Sequence, residues 1–286
     1  MTGPGRGRSD LYGENRSKTV LPVPAGPPEP TIASLRDPSG DGAGDSLERY
    51  WTFYWAVADA QLTRWLPRAP SRVMDLSGGD GRCAGLAAGA GHSVLEVRDP
   101  LLDRAAPDGG APASGNGRGA ATVPVLGDSG TLDFLDDASV DAVVAENRVL
   151  SRHLATEATV GEIARVLRPG GRVLLCVDSL TLGMALLAER NYWAHLSDVP
   201  SAEVVLVPWP DGTITRCFGT EQLRELLGGA GLEVEWVRPR TVLSPSTVEH
   251  VLGRSPRALD RLVRTELNAP PGDESGIHLL ASAVRP

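Results

Sequence analysis

A glycine-rich turn between a predicted strand and a predicted helix is the first place where this sequence could carry out chemistry. Residues 73–82 read Val-Met-Asp-Leu-Ser-Gly-Gly-Asp-Gly-Arg, so an apolar strand ends in an acid and glycines lead into the next helix. Such a turn lets a ligand approach backbone amides closely at the carboxyl edge of a parallel sheet. Its candidate binding residues are Asp75, Leu76, Ser77, Gly78, Gly79 and Gly81. A tight strand–helix turn without a ligand is the alternative.

Polar residues also follow the other predicted strands, at the points where each strand ends. The candidates are Glu96 and Asp99 after the second strand, Gly127, Asp128 and Ser129 after the third, and Glu146 after the fourth. Since the carboxyl ends of parallel strands meet at one edge, we expect these side chains to lie together. Glu146, His153 and His195 are the candidates for a general base. For either histidine, a structural role is the simpler interpretation.

The elements that must position these residues alternate between strand and helix. Strands are predicted at 72–76, 93–97, 122–126, 140–145 and 172–177, and helices at 82–88 and 155–167. This alternation predicts an α/β domain with a mainly parallel sheet. Further helices are predicted at 180–196, 220–229 and 257–267, a hairpin at 203–209 and 213–218, and strands at 233–237 and 277–284.

A helix rich in aromatic residues precedes the first strand. It runs from an N-cap at Asp45 or Ser46 to Trp65, without glycine or proline, and Pro67 ends it. Its apolar residues recur at helical spacing, which indicates a buried face. We interpret the aromatic run as core and lid packing, with Tyr54 the ring placed to cover a bound ligand.

Three segments together resemble the class I S-adenosylmethionine-dependent methyltransferases of the small-molecule type. They are the turn Asp75-x-Ser77-x-Gly79-x-Gly81, the sequence Phe-Leu-Asp-Asp-Ala-Ser-Val-Asp-Ala-Val-Val-Ala (134–145), and Glu-Ile-Ala-Arg-Val-Leu-Arg-Pro-Gly-Gly-Arg-Val (162–173). The resemblance is strong over 71–178 and extends more faintly to the end. It implies a Rossmann-like, doubly wound seven-stranded mixed sheet with helices on both faces and an antiparallel last strand.

The same resemblance implies a cofactor and a reaction. The cofactor would be S-adenosylmethionine, and its methyl group would go to an O, N or C atom of a small-molecule acceptor. Gly79 and Gly81 would meet the methionine portion of the cofactor, and Asp75 its amino group. Asp128, with Ser129 beside it, would accept from the adenine amino group.

Two positions depart from the family pattern. Ser77 replaces the first glycine, and Arg98 stands where the family places an acid for the ribose hydroxyls. Asp99 lies one residue later and Glu96 two residues earlier, and we favour Asp99 because a last strand residue can leave the ladder. Arg98 also lies about 20 residues past the glycines, where an arginine can meet the 2′-phosphate of NADP.

Composition excludes several other kinds of protein. The net charge of −8 argues against a nucleic-acid partner, because phosphate contacts need Lys and Arg. Lys18 is the only lysine, so the folded part has no Schiff-base or P-loop lysine and no Tyr-x-x-x-Lys pair. Three widely spaced cysteines predict neither a disulfide framework nor a metal site. No apolar run could span a membrane or serve as a secretion signal, so we expect a cytoplasmic protein.

The sequence predicts a tail followed by one domain. Residues 1–44, rich in Gly and Pro and without apolar periodicity, are predicted to be disordered. Residues 45–286 form the methyltransferase domain, which comprises a lid helix (45–70), a cofactor-binding core (71–178) and substrate and lid elements (179–286). Two alternative functions remain, a catalytically inactive binding or regulatory protein of this fold and an NADP-dependent oxidoreductase. The missing Tyr/Lys pair disfavours the oxidoreductase.

Overall fold

A computed structural model describes residues 47–78, 81–100, 121–199, 202, 204–208, 213–269 and 276–286 of the chain. The predicted tail 1–44, Gly79 and the predicted helix start at Asp45 or Ser46 lie outside the described residues.

Helices and strands alternate through the first part of the chain, as predicted. The helices are α1 (Glu48–Trp65), α2 (Arg82–Gly89), α3 (Val149–Arg152), α4 (Thr156–Val166), α5 (Leu180–Glu189), α6 (Trp193–Asp198), α7 (Thr220–Gly229), α8 (Pro245–Arg254) and α9 (Leu259–Leu267). The strands are β1 (Arg72–Asp75), β2 (Ser93–Arg98), β3 (Thr122–Leu126), β4 (Val140–Ala145), β5 (Leu167–Asp178), β6 (Val205–Pro208), β7 (Ile214–Cys217), β8 (Glu233–Pro239) and β9 (His278–Val284).

Across the described residues, seven strands form one mixed sheet in the order β3-β2-β1-β4-β5-β9-β8. Strands β1 to β5 pair in parallel, whereas β9 is antiparallel to both of its neighbours, β5 and β8. The predicted seven-stranded sheet with an antiparallel last strand is therefore confirmed. The chain order reverses direction between β1 and β4, and at such a switch point open α/β sheets bind their ligands.

Helices cover both faces of the sheet because its central strands are apolar on both sides. In β1, Val73 faces a cluster with Leu62 of α1 and Ala84 of α2, and Met74 faces the opposite cluster. That opposite cluster is built on α4 and α7, with Ile163 among its buried residues. Near-continuous apolar strands are what a parallel sheet covered on both faces requires.

The aromatic residues of α1 pack where the sequence predicted core and lid packing. Phe53 and Val57 are fully buried against Val248 and Leu252 of α8. Glu249 adds a polar anchor, since its Oε1 accepts from the Tyr50 backbone amide at 2.8 Å. Each large apolar side chain buried in this way contributes about 1.5–3 kcal/mol. The helix α1 is thus held firmly against the second half of the chain.

The region after β5 departs most from the sequence prediction. The predicted helix 180–196 is two helices, α5 and α6, separated at Asn191, whose φ is 58°. The hairpin is confirmed, but β6 and β7 form a separate two-stranded sheet that packs on α5. Helix α8 was not predicted at all. Within the described ranges, no helix is long and apolar enough to cross a membrane.

Candidate functional site

The end of β1 and the turn after it have the backbone geometry that a ligand-binding glycine turn needs. Asp75 is buried and its Oδ1 accepts from the Ser77 amide at 2.9 Å, while the adjacent Leu76 lies in the core. Gly78 and Gly81 have φ values of 79° and 67°, the left-handed region that side chains rarely adopt. Gly81 is also the N-cap residue of α2. These two positions explain why glycines occur here.

Ser77 connects this turn to the end of β4. Its side chain is buried, and its Oγ accepts from the backbone amide of Glu146 at 3.1 Å. The φ of Ser77 is not positive, so its backbone does not require glycine. A serine at this position is compatible with the turn and supplies a bond that a glycine would lack.

Glu96, near the end of β2, points its carboxylate toward the glycine turn. A Cβ placed on Gly81 would lie 3.9 Å from Glu96 Oε1. The other oxygen, Oε2, accepts from Arg98 Nη2 at 3.1 Å. Glu96 is 5% exposed, and its Oε1 has no hydrogen-bond partner among the described residues. A buried carboxylate oxygen without a partner is unfavourable unless a ligand donates to it.

Asp99 follows the last residue of β2, as predicted, but its carboxylate is engaged within the protein. Its Oδ2 accepts from the Ser129 amide at 3.0 Å and from Ser129 Oγ at 2.7 Å. Ser129 Oγ also contacts His153 Nε2 at 2.7 Å. Because the serine hydroxyl gives its one proton to Asp99, His153 Nε2 acts as the donor. Burial lowers the pKa of His153 below its usual value, in keeping with a neutral ring.

The end of β3 forms an open shelf next to this network. Asp128 is exposed, and its Oδ1 accepts from the Gly130 amide at 2.7 Å, which is a side-chain turn of the Asx type. Gly127 lies against an aromatic ring, since a Cβ there would come within 2.8 Å of Phe134 Cε1. Leu126 is 76% exposed and Phe134 38%. An apolar shelf beside a carboxylate suits a flat ligand group that carries an amine.

Two successive residues after β4 have a backbone conformation that is rare for side-chain-bearing residues. Asn147 has a φ of 54° and Arg148 a φ of 59°. Such residues each cost of order 1–3 kcal/mol and cluster at functional sites. The bend places Glu146 and Arg148 against different partners, namely Arg240 and Asp178.

Glu146 forms a buried ion pair with Arg240, which follows β8. Arg240 Nη2 donates to Glu146 Oε2, and neither side chain is more than 2% exposed. Arg240 Nη1 donates to Gln61 Oε1 at 2.7 Å, and Gln61 Nε2 donates to the Arg240 carbonyl at 3.1 Å. The guanidinium carbon lies 6.0 Å from the Tyr54 ring centroid. Helix α1 therefore packs over the ion pair through Gln61 and Tyr54.

A second buried polar chain lies beside the first and involves Tyr54, His278 and Asp178. The hydroxyl of Tyr54 is 2.9 Å from His278 Nδ1, and His278 Nε2 is 3.5 Å from Asp178 Oδ1. Arg148 Nη1 lies 3.7 Å from the same Asp178 oxygen. Burial, together with the nearby Arg148 and Arg240, lowers the pKa of His278 well below 6.5, so its ring is neutral.

The structure thus gathers most of the predicted site at one edge of the sheet and adds residues that the sequence analysis missed. The carboxyl ends of β1, β2, β3 and β4 carry the predicted residues. Arg240, His278 and Asp178 were missed, although Asp178 directly follows a predicted strand. His195 is exposed on α6, and its ring lies 5.8 Å from that of Tyr192.

Comparisons with known proteins identify the family and the fold. Residues 74–175 match a family described as a methyltransferase domain. The chain is 31% identical over 190 residues to an uncharacterized methyltransferase of Mycobacterium tuberculosis and to one of Mycobacterium bovis, covering 64% of this chain and 70% of each relative. An S-adenosylmethionine-dependent methyltransferase structure from Methanosarcina mazei shares the fold, with a TM-score of 0.52 and 17% identity, over 79% of this chain and 96% of that chain. The protein therefore belongs to the class I S-adenosylmethionine-dependent methyltransferases.

Proposed function

We propose that the protein transfers a methyl group from S-adenosylmethionine to an O, N or C atom of a small-molecule acceptor. The observation that carries this proposal is Glu96 Oε1, a buried carboxylate oxygen that has no hydrogen-bond partner among the described residues and faces Gly81 in the glycine turn. The residues present fit the cofactor, because a ribose hydroxyl would donate to this oxygen beside the turn that would take the methionine portion.

Glu96 is a better candidate than Asp99 for the ribose hydroxyls. Asp99 Oδ2 already accepts two hydrogen bonds from Ser129, so this carboxylate fastens the end of β2 to the end of β3. Arg98 pairs with Glu96 and leaves one oxygen of that carboxylate to accept. Arg98 then accompanies the ribose acid and does not replace it.

The other cofactor contacts are assigned along the same edge. Asp75 and the glycine turn would take the methionine ammonium and its backbone. Asp128 and the shelf formed by Gly127, Leu126 and Phe134 would take the adenine, with Ser129 holding the loop in place. Tyr54 is buried and hydrogen-bonded to His278, so its ring does not stand free as a lid over the cofactor.

When bound, S-adenosylmethionine supplies an activated methyl group on a sulfonium cation. Burial raises the pKa of Tyr54 well above 10, and burial with the nearby Arg148 and Arg240 lowers the pKa of His278, so this buried pair keeps a neutral hydroxyl and a neutral ring. An acceptor that is already nucleophilic would need only orientation beside the cofactor, without a general base.

Calorimetry of the full-length protein tests the cofactor assignment directly. We expect S-adenosylhomocysteine to bind with a micromolar dissociation constant, which corresponds to about −8 kcal/mol. S-adenosylmethionine should bind in a similar range, and NADPH should give no heat of binding. Tight binding of NADPH, with no response to S-adenosylhomocysteine, would contradict the proposal. The acceptor atom and a cytoplasmic location remain expectations from the sequence.

A further inference from the structure

Glu146 is a buried carboxylate that the cofactor contacts proposed above do not use. It follows β4, the strand next to β1 at the switch point of the sheet. Its backbone amide donates to Ser77 Oγ, so the residue is tied to the first position of the glycine turn. Only 2% of its surface is exposed.

The carboxylate is satisfied on one side only. Oε2 accepts from Arg240, whereas Oε1 has no hydrogen-bond partner within the described part of the chain. Its electrostatic neighbours show that this carboxylate lies between α1 and the start of α2. Its charge contributes to the raised pKa of Cys83 at the start of α2 and of Tyr54 in α1, although burial is the larger cause for both. The same charge contributes to the raised pKa of Arg82, against the lowering effect of burial. A buried carboxylate in such a position attracts a cation that enters between the turn and α1.

We propose that Glu146 Oε1 faces the sulfonium of S-adenosylmethionine and shifts the preference of the site away from S-adenosylhomocysteine. This inference rests on the proposed function. The two ligands share the ammonium, carboxylate, ribose and adenine groups, and they differ by one methyl group and one positive charge. A fixed negative group at the sulfonium therefore raises the affinity for the methylated, positively charged substrate relative to that for the neutral product. The methionine ammonium is already assigned to Asp75 on the neighbouring strand.

The arrangement has a consequence for turnover. Once the methyl group has left, the remaining thioether is neutral and no longer attracted by Glu146. The product would then be held only by the groups that both ligands share, so it would bind less tightly than S-adenosylmethionine. Arg240 keeps Glu146 oriented, because its guanidinium holds Oε2 and is itself fixed by Gln61.

The test is calorimetry with S-adenosylmethionine and S-adenosylhomocysteine on the wild type and on Glu146→Gln. We expect the affinity for S-adenosylmethionine to fall about tenfold, equivalent to about 1.4 kcal/mol, relative to that for S-adenosylhomocysteine. Glu96→Gln is the matched control, since it also converts a buried carboxylate to an amide. It should weaken both ligands by the same factor, because the ribose is common to both.

Sinefungin, in which a protonated amine replaces the methylated sulfonium, separates charge from shape. Glu146→Gln should weaken sinefungin as it weakens S-adenosylmethionine. If sinefungin instead behaves like S-adenosylhomocysteine, or if Glu146→Gln weakens all three ligands equally or none of them, Glu146 does not read the sulfonium charge and the inference fails. A wild-type protein that binds none of these ligands would instead refute the proposed function.

A second variant guards against failure to fold. Glu146→Gln leaves Arg240 without its counter-charge, so circular dichroism should accompany each titration. If the single variant is unfolded, the double variant Glu146→Gln/Arg240→Gln removes both charges and is titrated in its place. The double variant should show the same loss of preference for S-adenosylmethionine, and retention of the wild-type preference would overturn the inference.

Discussion

Glu96 and Asp99 lie three residues apart, and the structure predicts that the amide substitution of Glu96 lowers cofactor affinity whereas that of Asp99 lowers stability. Glu96 Oε1 is buried and accepts no hydrogen bond from any described residue, so a ligand hydroxyl that donates to it would form a charge-assisted bond. Bonds of this kind contribute about 1.5–3 kcal/mol. Glu96→Gln should therefore weaken S-adenosylhomocysteine binding roughly ten- to a hundredfold. Its melting temperature should change little, because the ion pair that it loses involves an Arg98 side chain that is 31% exposed.

Asp99→Asn should act on stability instead. Asp99 Oδ2 accepts hydrogen bonds from both the amide and the hydroxyl of Ser129, and Ser129 is only 2% exposed. An asparagine oxygen can keep one of these bonds well, so we expect a loss of about 1 kcal/mol. For a domain of this size, that loss lowers the melting temperature by about 2–4 °C. The affinity for S-adenosylhomocysteine should change less than in Glu96→Gln.

The assay measures both quantities on both variants, by calorimetry with S-adenosylhomocysteine and by thermal unfolding without ligand. The reasoning is refuted if Asp99→Asn loses more affinity than Glu96→Gln while keeping its melting temperature. That result would place the ribose on Asp99, as the sequence alone suggested. If neither variant loses affinity, the ribose is held by other groups, and the inactive alternative gains support.

Three further perturbations test other parts of the site and fold. Arg240→Met should lower the free energy of unfolding in urea by about 3–5 kcal/mol, because it leaves the Glu146 carboxylate buried and unpaired. The double variant Glu146→Gln/Arg240→Met should recover much of that loss. A single variant with the stability of the wild type would contradict the buried ion pair. The free energy of unfolding should fall as the pH is lowered below about 6.5, because the unfolded chain binds a proton on His278 that the folded chain excludes, with a slope of at most about 1.4 kcal/mol per pH unit from this residue. The variant His278→Gln should have a flatter slope between about pH 7 and 5. An identical slope in the variant would show that the His278 ring is protonated in the folded protein. Removal of residues 1–44 should leave the melting temperature nearly unchanged, because the sequence of that segment has no apolar periodicity, and a drop of several degrees would show that it packs on the domain.

The alternation of strands and helices could be predicted because the central strands of the sheet are apolar on both sides and are separated by helical patterns. Periodicity alone did not give the antiparallel β9, which came from the resemblance to the family. Helix α8 was missed although its start carries a clear signal, with Ser244 Oγ accepting from the Thr247 amide and Pro245 at the first helical position. The break between α5 and α6 depends on the backbone conformation of Asn191, for which the predicted helix gave no cue.

The site was predictable where it is local in sequence and not where it depends on distant pairing. The glycine turn and the acids after β2 and β3 lie beside the strand ends that position them. Arg240 and Glu146 are 94 residues apart, and Tyr54 and His278 are 224 apart. An isolated arginine or histidine in a sequence does not indicate its partner, so neither pair could be inferred before the sheet order was known.

The concentration of buried charge at one edge of the sheet argues for a role in binding and catalysis rather than in stability. Replacing a buried ion pair by apolar residues of similar volume is often neutral or stabilising, so Glu146 and Arg240 are poor choices for stability alone. The strained backbone at Asn147 and Arg148 adds a further cost at the same place. Within the part of the chain that the structure describes, Glu96 and Glu146 each retain a buried oxygen without a hydrogen-bond partner, and both lie beside the glycine turn. A ligand that brings hydroxyl groups and a positive charge to this edge would satisfy both oxygens at once, and S-adenosylmethionine has these groups.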